Sequence, residues 1–131
     1  MLSQLIIAGV VGIMLFFTVA VAPSIFKVLP QEWAGIYVRA FFPKYYAALG
    51  VVTLLGAAFE LDPYARAIYI VVGGLFFFSL FVMTPQINKA RDAEKKAWFG
   101  ALHGFSVMIN MAQLGLLIWM LWKTAAAQPL S

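Results

Sequence analysis

Cysteine is absent from this chain, histidine occurs once, and Asp and Glu together number only 5. Without cysteine there is no disulfide framework, thiolate metal site or cysteine nucleophile, and redox compartment is not written in the sequence. One histidine cannot close a zinc or iron–sulfur site by itself. Charged residues make up 11% of the chain, against about 25% in soluble domains. Apolar residues take their place. Of the 131 residues 64% are hydrophobic, with 12 Phe and 6 Met, which excludes a soluble globular domain and leaves one small integral membrane domain. The net charge of +4 does not point to nucleic acid. The basic residues gather in two loops, which suits an anionic lipid surface.

Four apolar segments are long enough to cross a bilayer. The first spans about 2–29. An Ala20-Val21-Ala22 cleavage site is the competing reading, but MLSQ has no basic start and Pro23 would follow the cut directly. Gly9 and Gly12 offer a small-residue face for helix packing. Pro23 is expected to kink or end the helix. Residues 31–42 carry Trp33, Ile36, Tyr37, Ala40 and Phe41 on one face, with Glu32 and Arg39 opposite. That pattern predicts an amphipathic helix lying in the membrane interface, separated from the second span (44–61) by Pro43. Its alternative is a three-turn extension of that span. Tyr45 and Tyr46 are expected at the interface. Asp62 and Pro63 predict the N-cap and first residue of the third span, 64–84, which Pro85 closes. The polar stretch 86–96 predicts a short exposed helix leading into the fourth span, 97–122, with Asp92–Lys96 and Arg91–Glu94 pairs along it. Trp98 and Trp122 mark the two interfaces, and the tail Lys123–Ser131 is expected to fray.

Seven basic residues, Lys27, Arg39, Lys44, Lys89, Arg91, Lys95 and Lys96, lie in the first and third loops, against Arg66 and Lys123 on the other side. The positive-inside rule then predicts a multi-pass protein of the inner membrane, with these loops cytoplasmic and both termini outside. A short repeat accompanies this layout. Pro23-Ser-Ile25-Phe-Lys27 and Pro85-Gln-Ile87-Asn-Lys89 are both P-x-I-x-K, and each precedes a W-x-G. The repeat suggests two hairpins related by an axis along the membrane normal, with Val38 in the place of His103.

The fourth span holds the residues with chemistry. His103, Ser106, Asn110 and Gln113 fall within about 80° of arc on one helix. Unpaired polar groups cost several kcal/mol in hydrocarbon, so this stripe needs partners within the bundle or across a subunit interface. Thr18, Thr53, Tyr69 and Ser79 are the candidates on other spans. No carboxylate joins the stripe, which removes a serine-hydrolase triad. Met108 and Met111 point away from His103, which disfavours a copper site. No cofactor is expected. Haem b is the group the residues would admit, five-coordinate on His103 or sharing a second protomer's ligand. Gly100 and Gly104 form a GxxxG on an adjoining face, a pattern used for helix association.

Leu102-His103-Gly104-Phe105-Ser106 followed by Asn110, with the charged INKARDA segment and the proline-ended first and third spans, resembles the transmembrane protein 205-like family, also described as domain of unknown function 4149. The resemblance implies a small four-span membrane protein without an established reaction. Some eukaryotic members are linked to drug resistance and export. The reading is therefore an all-α, integral membrane four-helix bundle with one interfacial helix. Its expected role is a non-enzymatic subunit packing with itself or a larger membrane complex. The alternatives are transport of a small solute or ion through a cavity lined by the fourth span, and haem-based redox chemistry.

Overall fold

The computed structural model describes residues 1–128, and these form four long helices. α1 is Leu2–Val28, α2 Gln31–Ala58, α3 Pro63–Asp92 and α4 Lys96–Ala126, each long and apolar enough to cross a membrane. The chain runs up and down. One end of the bundle carries the 29–30 and 93–95 links with most of the basic residues; the far end carries the 59–62 turn. α4 extends through Ala126 into the tail expected to fray, and residues 129–131 of that tail lie outside the described residues.

Prolines shape three of the helices without ending any. The expected interfacial helix is continuous with the second span, because Pro43 sits inside α2. Proline removes one hydrogen bond, here to the Arg39 carbonyl, and costs about 3 kcal/mol in a helix interior. Ring packing on both sides of Pro43 offsets this. Phe17 of α1 stacks on Phe41 at 5.1 Å and meets Tyr45 at 4.8 Å, and such pairs contribute about 0.5–1.5 kcal/mol each. Trp33, Ile36 and Tyr37 do face outward, but Ala34 and Val38 on the opposite side pack on Ile25 and tie the segment into the bundle.

Pro23 and Pro85 are likewise passed. Each is preceded by one π-helical turn, Phe17–Val21 in α1 and Ser79–Met83 in α3. A proline ring collides with the carbonyl four residues back, Val19 or Phe81 here. Widening that turn moves the carbonyl aside and lets the helix continue. The repeat seen in the sequence is thus a repeat in backbone geometry. The polar 86–92 segment therefore ends α3 and does not begin α4.

α3 stops where Glu94 adopts φ 56°. Glu94 N–H donates to the Arg91 carbonyl and Lys95 N–H to the Ala90 carbonyl, the double closure of a Schellman motif. Neither expected local ion pair on 91–96 forms. Asp92 instead accepts from Arg39 of α2 at 2.7 Å.

In lipid the hydrophobic effect does not draw helices together, so close fit decides which faces meet. Three glycines supply that fit. A Cβ on Gly73 would lie 2.7 Å from Leu54, one on Gly50 2.8 Å from Phe77, and one on Gly56 2.8 Å from Ile7. Gly9 and Gly12, expected to pack, face open space, as do Gly100 and Gly104. The buried face of α1 runs instead through Ser3, Ile7, Val10 and Met14. α2 packs along α3 and α1, while α4 lies against α1 and α3 and does not closely approach α2.

Candidate functional site

The divergence of α2 from α4 opens a cavity of about 260 Å³ toward the basic end. α4 gives it His103, Ser106, Val107 and Asn110; α2 gives Val38, Arg39, Phe42 and Tyr46; α1 and α3 complete it around their proline turns. A wider groove of about 840 Å³ adjoins it, sharing Phe26, Arg39, Arg91 and His103. These four residues form the rim between the two spaces.

Alignment of the two hairpins explains the cavity's asymmetry. Offsets read from P-x-I-x-K and W-x-G match Ala22 with Thr84, Phe26 with Asn88, and Val38 with His103, and all six line the cavity. The space therefore lies on the axis relating the hairpins. At these three places the first hairpin is apolar. The second substitutes a hydroxyl, an amide and an imidazole at the same places.

The stripe does not act as one unit. Gln113 is fully buried and its side-chain amide donates to the Val72 carbonyl at 3.0 Å, stitching α4 to α3. Ser106 Oγ and Tyr46 Oη are 3.5 Å apart across the gap. Asn110 stands beside Tyr45, yet Asn110 Oδ1 and the Tyr45 hydroxyl are both buried without a hydrogen-bond partner. His103 is exposed at the rim, its ring stacked on Phe99 at 5.8 Å. Arg91 lies over the other end of this column, 4.9 Å from the Phe99 ring. Arg39 is neutralised by Asp92. Among the described residues Arg91 makes no ion pair; Glu32 is the carboxylate that lines the adjoining groove with it.

Of the partners expected for the stripe, Thr18 lines the cavity, while Thr53, Tyr69 and Ser79 are buried elsewhere and bond to none of the four. The hydrogen-bond partners are Tyr46, for Ser106, and the Val72 carbonyl, for Gln113. Tyr45 and Tyr46 lie in the core, not at the interface; reading Pro43 as a break had placed them at a helix start. Glu60 was also missed. It is buried at the far turn, accepting from the Leu61 and Asp62 N–H groups and from Gln4. The one signal for it was its place before the Asp62 cap, which does form, accepting from Ala65 N–H at 3.0 Å.

Fold and cavity define a multi-pass α-helical membrane protein with a mostly apolar internal cavity edged by a few polar groups. Residues 5–96 match the family described as domain of unknown function 4149. The chain is also 31% identical over 117 residues to an uncharacterized protein of Aquifex aeolicus (strain VF5), covering 86% of each chain. The chain belongs to that family. No solved structure matches it. The matched residues end where α4 begins, so Arg39 and Arg91 fall within the match and the stripe beyond it.

Proposed function

We propose that the protein binds a small amphipathic anion in this cavity and handles it at the membrane. The observation that carries the reading is the lining: a mostly apolar surface, a polar edge where Ser106 and Asn110 face Tyr46, and at the rim Arg91, which makes no ion pair, beside His103. Binding pockets for small molecules are mostly apolar with a few convergent polar groups, at about 300–1,000 Å³. A cavity of about 260 Å³ suits a short apolar body, and the adjoining groove gives room for an anionic head against Arg91. A guanidinium holds carboxylate or phosphate oxygens in paired geometry.

Basic residues at the cavity end support a cytoplasmic opening in the inner membrane, with both termini outside. Assembly remains a second reading for a different surface. Gly100 and Gly104 with exposed Phe105 and Met108 form an open face of α4, suited to a second copy or a larger membrane complex.

The test is direct. Purified protein is titrated with a short-chain alkyl phosphate and with the matching uncharged alkyl glycoside. Preference for the phosphate, lost in Arg91→Gln, supports the reading; equal binding of the two rejects it.

A further inference from the structure

The four helices form a ring in which α1 and α4 are neighbours, but only over half their length. Leu2–Phe16 of α1 lies against α4, whereas no Cα of Phe17–Val28 comes within 8 Å of one in α4. The other sides of the ring are closed at the basic end. Phe17 stacks on Phe41 of α2, and Ile25 packs with Ala34 and Val38. Residues 79–92 of α3 run along both α2 and α4. The basic half of the bundle is therefore open along one seam, between α1 and α4.

The cavity meets that seam. Thr18, Ala22 and Phe26 line it from α1, and Val107 and Met111 from α4. Phe26, Val107 and Met111 are 63%, 45% and 40% exposed. A side chain lines an internal space and shows that much surface only where the space reaches the outside. Gly100 and Gly104 share a flank of α4 with Val107 and Met111, all four within about 60° of arc. A Cβ on either glycine would meet nothing within 4 Å, so the flank is cut back where the helices part. Gln113, which bonds α3, stands about 120–180° away on the opposite flank.

What lies outside the seam is acyl chain, while the polar end of the same cavity lies at the basic rim, where Arg91 makes no ion pair. An occupant that suits both ends has an anionic head and an apolar tail. Volume points the same way. About 260 Å³ falls below the 300–1,000 Å³ that encloses a whole small ligand, so a long tail has to run out through the seam. We propose that the occupant is a single-chain anionic lipid of the leaflet on the basic side. It enters sideways between α1 and α4, seats its head against Arg91 and leaves most of its chain in the bilayer. This rests on the anion-binding reading above and adds to it the source of the ligand and its route. Helix side chains are no more apolar than lipid tails, so the tail gains little by moving into the seam, and selection falls to the head.

The full chain in phosphatidylcholine nanodiscs is irradiated with hexadecyl phosphate carrying a mid-chain diazirine, and the labelled residues are mapped by mass spectrometry. Label at residues 18–26 and 100–111 is expected to exceed that at Phe81 and Val82, outward-facing on α3, at least fivefold. Gly104→Phe, which fills the open flank, should cut the seam label at least fivefold. Gly9→Phe, into open space elsewhere on α1, should leave it unchanged. Hexyl phosphate, reaching Arg91 from water through the adjoining groove, should bind Gly104→Phe as it binds the parent. Label no higher at the seam than at Phe81, as a second copy packed over Gly104 would leave it, overturns the lateral route. So does seam label that Gly104→Phe does not change. Hexyl phosphate binding kept in either case shows that the anion reading survives; no hexyl phosphate binding to the parent overturns both.

Discussion

Asn110 and Tyr45 lie beside each other at the middle of the bundle, and they occupy the same position in successive hairpins. Counting from Trp33 and Trp98, each is the twelfth residue on. The axis relating the hairpins passes between them. One half presents a phenol there and the other an amide, and neither the phenol oxygen nor the amide oxygen is paired within the protein. Replacing both with apolar groups should therefore disturb the fold little. Tyr45→Phe with Asn110→Leu is expected to stay within about 1 kcal/mol of the parent, because two costly desolvated atoms leave together. Asn110→Asp alone, which would bury a charge, should lower the detergent melting temperature clearly. A double variant that melts far below the parent would show that the pair is held by contacts not seen here.

The rim makes a charge prediction. Arg91→Gln should weaken binding of an alkyl phosphate about tenfold, or about 1.4 kcal/mol, in the range of one charge-assisted hydrogen bond. Arg91→Lys should recover only part of that, since the paired donor geometry is lost. Calorimetric titration in detergent checks both. Full recovery by lysine would mean that only the charge matters.

Adjacent glycines in α3 should behave oppositely. Gly73→Ala forces a methyl group to within 2.7 Å of Leu54 and should destabilise by about 1–3 kcal/mol, the usual cost of overpacking. Gly74 faces open space, so Gly74→Ala should be neutral or stabilise by up to about 1 kcal/mol through helix propensity. Thermal unfolding of the two variants side by side decides it.

The end of α3 is strained at one residue. Glu94 holds φ 56° without being glycine, at a cost of about 1–2 kcal/mol. Glu94→Gly should raise stability by about 1 kcal/mol while leaving the Arg39–Asp92 pair intact. Destabilisation would mean that the Glu94 side chain makes a contact outweighing its backbone strain.

The sequence by itself determined the number of membrane spans, their apolar character, the Asp62 cap and the polar stripe on α4. These follow from local quantities: run length, charge density, 3.6-residue periodicity and one capping pattern. Even the repeat was legible, because identical short motifs fold into identical turns. Tertiary structure decided what local rules left open. Pro43, Pro23 and Pro85 read as breaks because proline disfavours the helix in isolation. Aromatic packing around Phe17 and two π-helical turns carry the helices through, and neither is encoded within a few residues. Gly9, Gly12, Gly100 and Gly104 could not be told from Gly50, Gly56 and Gly73 by composition. Only the side chain opposite, Phe77, Ile7 or Leu54, distinguishes a packed glycine from an open one. The same holds for the stripe. Spacing put His103, Ser106, Asn110 and Gln113 on one face. Whether that face met lipid, a partner or a cavity depended on α2 diverging from α4, and so on the fit between helices far apart in the chain.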